Sequence, residues 1–158
     1  MDPFIKPIHD ALEQTKLAKS LADGTVTPRM YREYLRNSLV VWEALENNFP
    51  EYADFNVASH IHADLALTAP DAYEDESVHW RAELQALRAN GSDLYVLGLG
   101  LCYGGKQMAR NIQKNSNLSV RHFRMPKDAI ARLRKLEPTS SGVASAFQDT
   151  LAWYHDVT

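Results

Sequence analysis

The segment from Ser92 to Asn115 constrains the fold most, because its periodicity predicts a helix while its composition disfavours one. Apolar residues recur there at helical spacing: Leu94, Leu97, Leu101, Met108 and Ile112. Four of the chain's seven glycines also fall within eight positions of this segment: Gly98, Gly100, Gly104 and Gly105. A glycine inside a helix costs roughly 0.8–1 kcal/mol relative to alanine, so the cluster costs about 3–4 kcal/mol in propensity. A packing or functional gain must offset that cost.

Two explanations for the glycines are open at this point. The glycines lie on or near the inward half of the predicted helix, where bare backbone lets another helix pack closely or lets a flat ligand approach. Close packing is the commoner reason for glycine in a helix. A glycine cluster also favours a kink in the helix.

Composition excludes several classes of protein. A chain of 158 residues suits one domain, residues 1–158. Its net charge of -3 gives no strong field for binding nucleic acid or an anionic membrane, so neither is an expected partner. Cys102 is the only cysteine, which excludes an intrachain disulfide and agrees with a reducing compartment. Without an apolar run of about 20 residues or a signal peptide, we expect a soluble cytoplasmic protein.

The remaining segments predict an all-α chain, a single-domain multi-helix bundle without strands. Proline at helix starts and glycine after helix ends mark several boundaries, including Thr27 as an N-cap before Pro28 and Gly24 after the first helix. The predicted helices run from about Pro7 to Ala22, Pro28 to Asn47, Val57 to Leu67, Val78 to Ala89, Ser92 to Asn115, Pro126 to Leu136 and Val143 to Asp156.

His9 is the histidine whose surroundings suggest chemistry. It lies at the edge of the apolar face of the first predicted helix, and Glu13 follows one turn later, where its carboxylate can accept a hydrogen bond from the imidazole. Histidine at such an edge is commonly a partly buried packing residue. A metal-ligating histidine also needs an acceptor on its other ring nitrogen. The residues alone leave both interpretations open.

Other patterns carry weaker signals. Glu76 and His79 have the Glu-x-x-His spacing of di-iron bundles, which use two such motifs plus two further glutamates, whereas this chain has one copy. His60 and His62 point about 200° apart on a helix and cannot share a metal. The basic helix contains Arg132 and Lys135 and predicts a solvated face or an anion site. The chain has no phosphate-binding glycine loop, no His-Glu-x-x-His and no Cys-x-x-Cys, and Cys102 is interpreted as a small core residue.

Two segments together resemble the heme oxygenase family. His9 is followed by Gly24 and then by a helix that contains the triplet Ala44-Leu45-Glu46, which is similar to the family's proximal-histidine region. The later segment Leu94-Tyr95-Val96, with the Gly-x-x-x-Gly-Gly core from Gly100 to Gly105 and then Gln107, resembles the family's distal helix. The likeness covers most of the chain and is weakest in the middle.

The resemblance implies a heme oxygenase-type fold with a glycine-kinked distal helix and heme between that helix and the first. His9 would bind iron as the metal ligand, and Glu13 would hydrogen-bond to it. Further heme contacts would come from Tyr95 and, at the propionates, from Lys6, Arg132 and Lys135. The distal positions beside bound oxygen would be Gly100, Leu101, Gly104 and Gly105.

The resemblance also implies an enzyme for which heme is cofactor and substrate at once. With dioxygen and electrons from a ferredoxin or a reductase, such an oxidoreductase opens the porphyrin ring to biliverdin, carbon monoxide and ferrous iron, which serves iron release or bilin biosynthesis. Many family members carry an aspartate where this chain has Leu101. The alternatives are a heme carrier or sensor on the same fold, a non-heme di-iron oxidase that uses Glu76 and His79, and a helical interaction protein without a cofactor.

Overall fold

The computed structural model describes residues 2–68 and 79–158, and every regular element in those ranges is helical. The α-helices are α1 (Lys6–Glu13), α2 (Lys16–Asp23), α3 (Pro28–Asn48), α4 (Val57–Ala66), α5 (Trp80–Leu87), α6 (Gly91–Asn115), α7 (Ala129–Arg134) and α8 (Ser140–Asp156). Within the described ranges, a first 3₁₀ helix covers Pro50–Phe55 and a second covers Arg121–Phe123. The all-α prediction is confirmed. In the described ranges, none of the helices has the length and apolar character needed to cross a membrane.

The first predicted helix is in fact two helices, so the prediction of one continuous helix from Pro7 to Ala22 is wrong. Thr15 interrupts it: its backbone is extended, its Oγ1 accepts a hydrogen bond from the backbone N–H of Ala18 at 3.2 Å, and it donates to the carbonyl of Leu12 at 2.8 Å. Threonine favours such a cap over a helix interior. The break separates α1, which packs mainly against α8, from α2, which packs mainly against α6.

Helix α3 forms as predicted and supplies the centre of the core. Thr27 caps it by accepting a hydrogen bond from the backbone N–H of Met30 at 3.2 Å, and Pro28 occupies the first turn. Its inward stripe is buried over the whole length of the helix: Tyr31, Leu35, Ser38, Val41, Trp42 and Leu45. Burial of such a stripe, rather than propensity, stabilises a long helix.

Helix α6 is uninterrupted over 25 residues, so its glycines do not end it. A capping box starts the helix: the Asn90 side chain accepts from the backbone N–H of Ser92, and the Asp93 carboxylate accepts from the backbone N–H of Asn90, each at 2.9 Å. Asn90 and Gly91, which directly follow the helix predicted from Val78 to Ala89, therefore open α6. Helix α5 ends earlier, at Leu87.

The four glycines of α6 divide into two pairs with different surroundings. A Cβ at Gly98 would lie 2.7 Å from Leu133 Cδ1 on α7, and one at Gly105 would lie 3.2 Å from the carbonyl oxygen of Phe123. These two glycines permit close packing. A Cβ at Gly100 would meet nothing within 4 Å, and one at Gly104 would meet only Met108 of the same helix, at 3.2 Å. Close packing against other elements therefore explains Gly98 and Gly105, but it does not explain Gly100 and Gly104.

Asp64, fully buried on α4, anchors the connection between α6 and α7. Its carboxylate accepts hydrogen bonds from Ser119 Oγ at 2.5 Å, from the backbone N–H groups of Arg121 and His122 at 2.9 Å each, and from His122 Nδ1 at 2.6 Å. Burial raises the pKa of Asp64, but the hydrogen bonds from His122 and Ser119 outweigh burial and leave that pKa below its ordinary value. Asp64 is therefore ionised at neutral pH.

Alanine substitutions at Gly24, where α2 contacts α6, and at Gly100, which has no neighbour within 4 Å of an added Cβ, should change stability in opposite directions. Gly24 has φ +80, and a Cβ there would overlap the backbone carbonyl of Asn111 on α6. Gly24→Ala should lower the free energy of unfolding by about 2 kcal/mol or more. Gly100→Ala is the control and should raise that free energy by up to about 1 kcal/mol through helix propensity. Urea unfolding measures both, and an unchanged stability in Gly24→Ala would contradict the close approach.

His122 predicts a pH dependence of stability. It is only 1% exposed, and burial lowers its pKa despite the opposing effect of Asp64. Because its folded pKa lies below the unfolded value of about 6.5, the unfolded chain binds the proton first and stability falls as pH drops below that value. The slope that His122 adds is at most about 1.4 kcal/mol per pH unit. Urea unfolding between pH 7 and 5 should show a flatter dependence in His122→Gln, and parallel curves would contradict this.

Candidate functional site

A mainly apolar cavity of about 630 Å³ lies among α1, α2, α3, α6 and α8. This volume falls within the roughly 300–1,000 Å³ typical of small-molecule sites. Its apolar lining includes Leu12, Leu21, Trp42, Leu97, Leu99, Met108, Phe123, Phe147 and Trp153. Its polar side chains are few: His9, Glu13, Ser38, Thr150 and the tyrosines Tyr34, Tyr95, Tyr103 and Tyr154. A large apolar cavity with few polar groups suits a hydrophobic ligand.

His9 contributes an imidazole to the lining of this cavity from α1. Its Nε2 lies 3.5 Å from Glu13 Oε1 and its Nδ1 lies 3.8 Å from Asp10 Oδ1. The ring meets Phe147 of α8 edge-on, with centroids 5.4 Å apart, and the side chain is 28% exposed. Among the described residues, the potential ligand atoms that cluster within 4.8 Å of one another belong to His9, Asp10 and Glu13. The predicted pairing of His9 with Glu13 is present in the structure.

Helix α6 contributes the side-chain-poor part of the lining. Gly100, Leu101 and Gly104 border the cavity, and Tyr95 borders it one turn before Gly98. Gly105 does not line the cavity, because it packs against Phe123 instead. Gly105 was expected beside bound oxygen, but in the structure it has a packing role instead. Leu101 presents an apolar side chain rather than a hydrogen-bonding group.

The predicted basic contacts do not line the cavity. Lys6 is exposed, with its Nζ 2.6 Å from Asp10 Oδ2. Arg132 binds both carboxylate oxygens of Asp54, at 2.7 and 2.9 Å, and lies 4.7 Å from the ring centroid of Phe55. Its expected contact with a propionate is replaced by this ion pair on the first 3₁₀ helix. Lys135 is exposed and also lies outside the lining.

Sequence reasoning missed Arg134, which lies at the rim. It donates a hydrogen bond to the hydroxyl of Tyr103, a residue of the cavity lining. Arg134 borders a groove of about 490 Å³ that adjoins the cavity and shares Ile5, Tyr95 and Val143 with it. Two acidic residues, Asp2 and Glu137, also border the groove. The sequence showed a basic helix but gave no signal that selects one cation among several.

A series of buried, hydrogen-bonded side chains, Tyr34–His122–Asp64, borders the cavity at Tyr34. It was not predicted from the sequence. The hydroxyl of Tyr34 lies 2.9 Å from His122 Nε2, and His122 Nδ1 in turn binds Asp64 at 2.6 Å. Burial raises the pKa of Tyr34 well above its ordinary value, so the phenol stays protonated. Tyr34 and His122 are 88 positions apart. Neither residue belongs to a local motif that would link them.

Two further candidates, His79 and Cys102, do not line the cavity. His79 is buried at the start of α5. Glu76, the other half of the Glu-x-x-His pair, lies outside the described residues. Cys102 is half-buried, and burial raises the pKa of its thiol. A thiol with a raised pKa is a poor nucleophile at neutral pH, which agrees with the packing role expected for Cys102.

Comparison with known proteins places this site in context. A family model described as heme oxygenase matches residues 5–97. No curated protein matches the chain significantly. The fold is similar to that of heme oxygenase-1 from the cyanobacterium Synechocystis sp. PCC6803, a crystal structure determined in complex with heme. The two chains are 16% identical with a TM-score of 0.67, over 96% of this chain and 87% of the other.

The family match extends from just before α1 to the first part of α6, more than half of the chain. It includes His9, Glu13 and Tyr95, and it ends before Gly100. The structural similarity extends over nearly the whole chain and confirms the predicted fold of the heme oxygenase type. This chain therefore belongs to the heme oxygenase family.

Proposed function

We propose that this protein binds heme in the apolar cavity and cleaves it oxidatively to biliverdin, carbon monoxide and ferrous iron. One observation carries the proposal: His9 and the open backbone at Gly100 and Gly104 border the same cavity of about 630 Å³. An imidazole at an apolar cavity with room for a flat ring is what heme ligation requires. The family match supports the same ligand class.

His9 holds the iron in this proposal. One ring nitrogen of the neutral imidazole binds the metal, and the other donates a hydrogen bond to a carboxylate, for which Glu13 is the candidate at 3.5 Å from Nε2. Such an acceptor fixes the tautomer of the imidazole and increases its basicity. The edge of Phe147 limits rotation of the ring from the α8 side. Together these contacts orient the ligand nitrogen.

Helix α6 provides space and excludes water. Because Gly100 and Gly104 lack side chains, the α6 backbone leaves room beside the ring, and the neighbouring Leu101 and Met108 keep the lining apolar. Bound heme supplies an iron that reduces dioxygen with donated electrons, and a porphyrin carbon that becomes oxidised. A dry lining protects such chemistry from competing reactions. We propose a ferredoxin or a reductase as the source of the electrons.

Arg134 replaces Arg132 as the proposed partner of a heme propionate. Arg134 lies at the rim, where its neighbour Tyr103 reaches the cavity lining, whereas the guanidinium of Arg132 is occupied by Asp54. A guanidinium forms strong charge-assisted hydrogen bonds with a carboxylate. The propionates would therefore point toward the groove that Arg134 borders.

A heme carrier or sensor on the same fold is the second candidate function. The apolar side chain of Leu101 favours it, since Leu101 offers no hydrogen bond to a ligand beside α6. Turnover separates the two functions. Heme oxygenase activity predicts free bilin and carbon monoxide when reductant and air are added, whereas a carrier returns intact porphyrin.

The role of His9 is tested by hemin titration followed by absorption spectroscopy. The parent protein should give a histidine-ligated heme spectrum, and His9→Ala should lose it because no other imidazole borders the cavity in the described ranges. Glu13→Gln should weaken heme binding by about 10–100-fold, as loss of a ligand's hydrogen-bond acceptor typically does. His62→Ala is the control, because His62 is exposed and pairs with Glu43. Unchanged ligation in His9→Ala would refute the assignment.

The role of Arg134 is tested with two forms of the ligand. Arg134→Gln should weaken binding of iron protoporphyrin IX by roughly tenfold, as expected for the loss of one charge-assisted hydrogen bond. Binding of its dimethyl ester, which has no carboxylates, should not change. Arg132→Gln is the matched control from the same helix and should leave both affinities unchanged. Equal losses in the two variants would contradict the assignment to Arg134.

A further inference from the structure

We propose that Tyr34 is a redox-active tyrosine that gives an electron to a metal-centred one-electron oxidant at the cavity while its phenolic proton moves to His122. The proposal rests on the hydrogen-bonded chain Tyr34–His122–Asp64, which borders the cavity at Tyr34. It rests on the proposed binding of heme as the source of that oxidant, and not on heme cleavage.

Asp64 sets the polarity of the chain. An ionised carboxylate only accepts hydrogen bonds, so the contact of 2.6 Å requires a proton on Nδ1 of His122. In the neutral imidazole Nε2 is then the acceptor, and the Tyr34 hydroxyl at 2.9 Å must donate to it. The phenol therefore faces a base within the 2.6–3.2 Å or so that proton transfer requires.

The step balances without any further reactant. The oxidant gains one electron from Tyr34, the O–H bond of Tyr34 breaks, and an N–H bond forms at His122 Nε2. The products are a neutral tyrosyl radical and an imidazolium ion. Asp64 stabilises that imidazolium at Nδ1, as a carboxylate does beside the histidine of a catalytic triad. One electron from the ferredoxin or reductase proposed above reduces the radical, and the proton returns along the same 2.9 Å contact.

The other tyrosines with defined hydroxyl contacts lack a base. Tyr31 donates to the carbonyl oxygen of Ser119, and Tyr52 donates to that of Arg132. Tyr103 contacts the guanidinium of Arg134, which is already a cation. Loss of an electron makes a phenol strongly acidic, so oxidation is easiest where a base takes the proton. Among the hydroxyl contacts defined in the described ranges, that condition is met at Tyr34.

The position of Tyr34 beside the cavity indicates the role of this electron transfer. Tyr34 borders the cavity, and the rings of Trp153 and Tyr154, which also border it, have centroids 6.4 Å from that of Tyr34. An oxidising equivalent formed in the cavity is therefore in contact with this aromatic cluster. Its transfer to Tyr34 stores it in a buried radical and spares the other residues that line the cavity. The proposed role is protective.

The test uses the full chain without heme. Light, tris(bipyridine)ruthenium(II) and a sacrificial cobalt(III) acceptor generate a strong one-electron oxidant, and the sample is frozen for electron paramagnetic resonance. The tyrosyl signal should lose most of its intensity in Tyr34→Phe and in His122→Gln, whose amide accepts a hydrogen bond but not a proton. Tyr31→Phe is the matched control, since Tyr31 lies on the same helix, is equally buried and stacks 6.0 Å from Tyr34. It should keep the signal.

A second measurement uses the protein without any substitution in Tyr34, His122 or Asp64. In protein labelled with ¹⁵N-histidine, pulsed measurements should show that the radical couples to a histidine nitrogen and to an exchangeable proton. Full radical yield in Tyr34→Phe, equal losses in Tyr31→Phe and Tyr34→Phe, or a radical without histidine coupling would each overturn the proposal. Because heme is absent from the test, these outcomes leave the proposed heme cleavage unaffected.

Discussion

The lack of side chains at the four glycines of α6 is the constraint on which the site depends. Where Gly98 and Gly105 face other elements, the bare backbone lets Leu133 and Phe123 pack at distances that a Cβ would crowd. Those contacts fix α6 against α7 and the second 3₁₀ helix. Where Gly100 and Gly104 face the cavity, the same lack of side chains leaves space. The propensity cost of about 3–4 kcal/mol is thus offset by packing at one pair while the other pair shapes the cavity.

Local signals in the sequence identified much of this arrangement. Helix periodicity and the Thr27–Pro28 start predicted the bounds of α3 to within one residue. The spacing of His9 and Glu13, one helical turn apart, predicted that the two side chains lie close together. The break at Thr15 was missed because the apolar face continues through it, while the threonine hydroxyl binds the backbone of Leu12 and Ala18 instead. Periodicity reports which face is buried, and capping decides where a helix ends.

Contacts between distant segments were beyond sequence reasoning. Arg132 and Arg134 are two positions apart on one short helix, yet one binds Asp54 and the other reaches Tyr103 at the cavity rim. Only the position of α7 against α6 separates their roles. The chain Tyr34–His122–Asp64 likewise joins α3, the second 3₁₀ helix and α4. Each partner is an ordinary residue in its own segment, and the fold alone brings the three together.

The central claim is that His9 binds heme iron. Resonance Raman spectroscopy of the ferrous heme complex tests it most directly, because it observes the iron–histidine stretch itself. The account predicts such a band, a shift of the band when histidine is ¹⁵N-labelled, a further shift in Glu13→Gln through the lost hydrogen bond, and loss of the band in His9→Ala. A labelled histidine band that persists in His9→Ala, or the absence of any histidine-sensitive band in the parent protein, would contradict the claim.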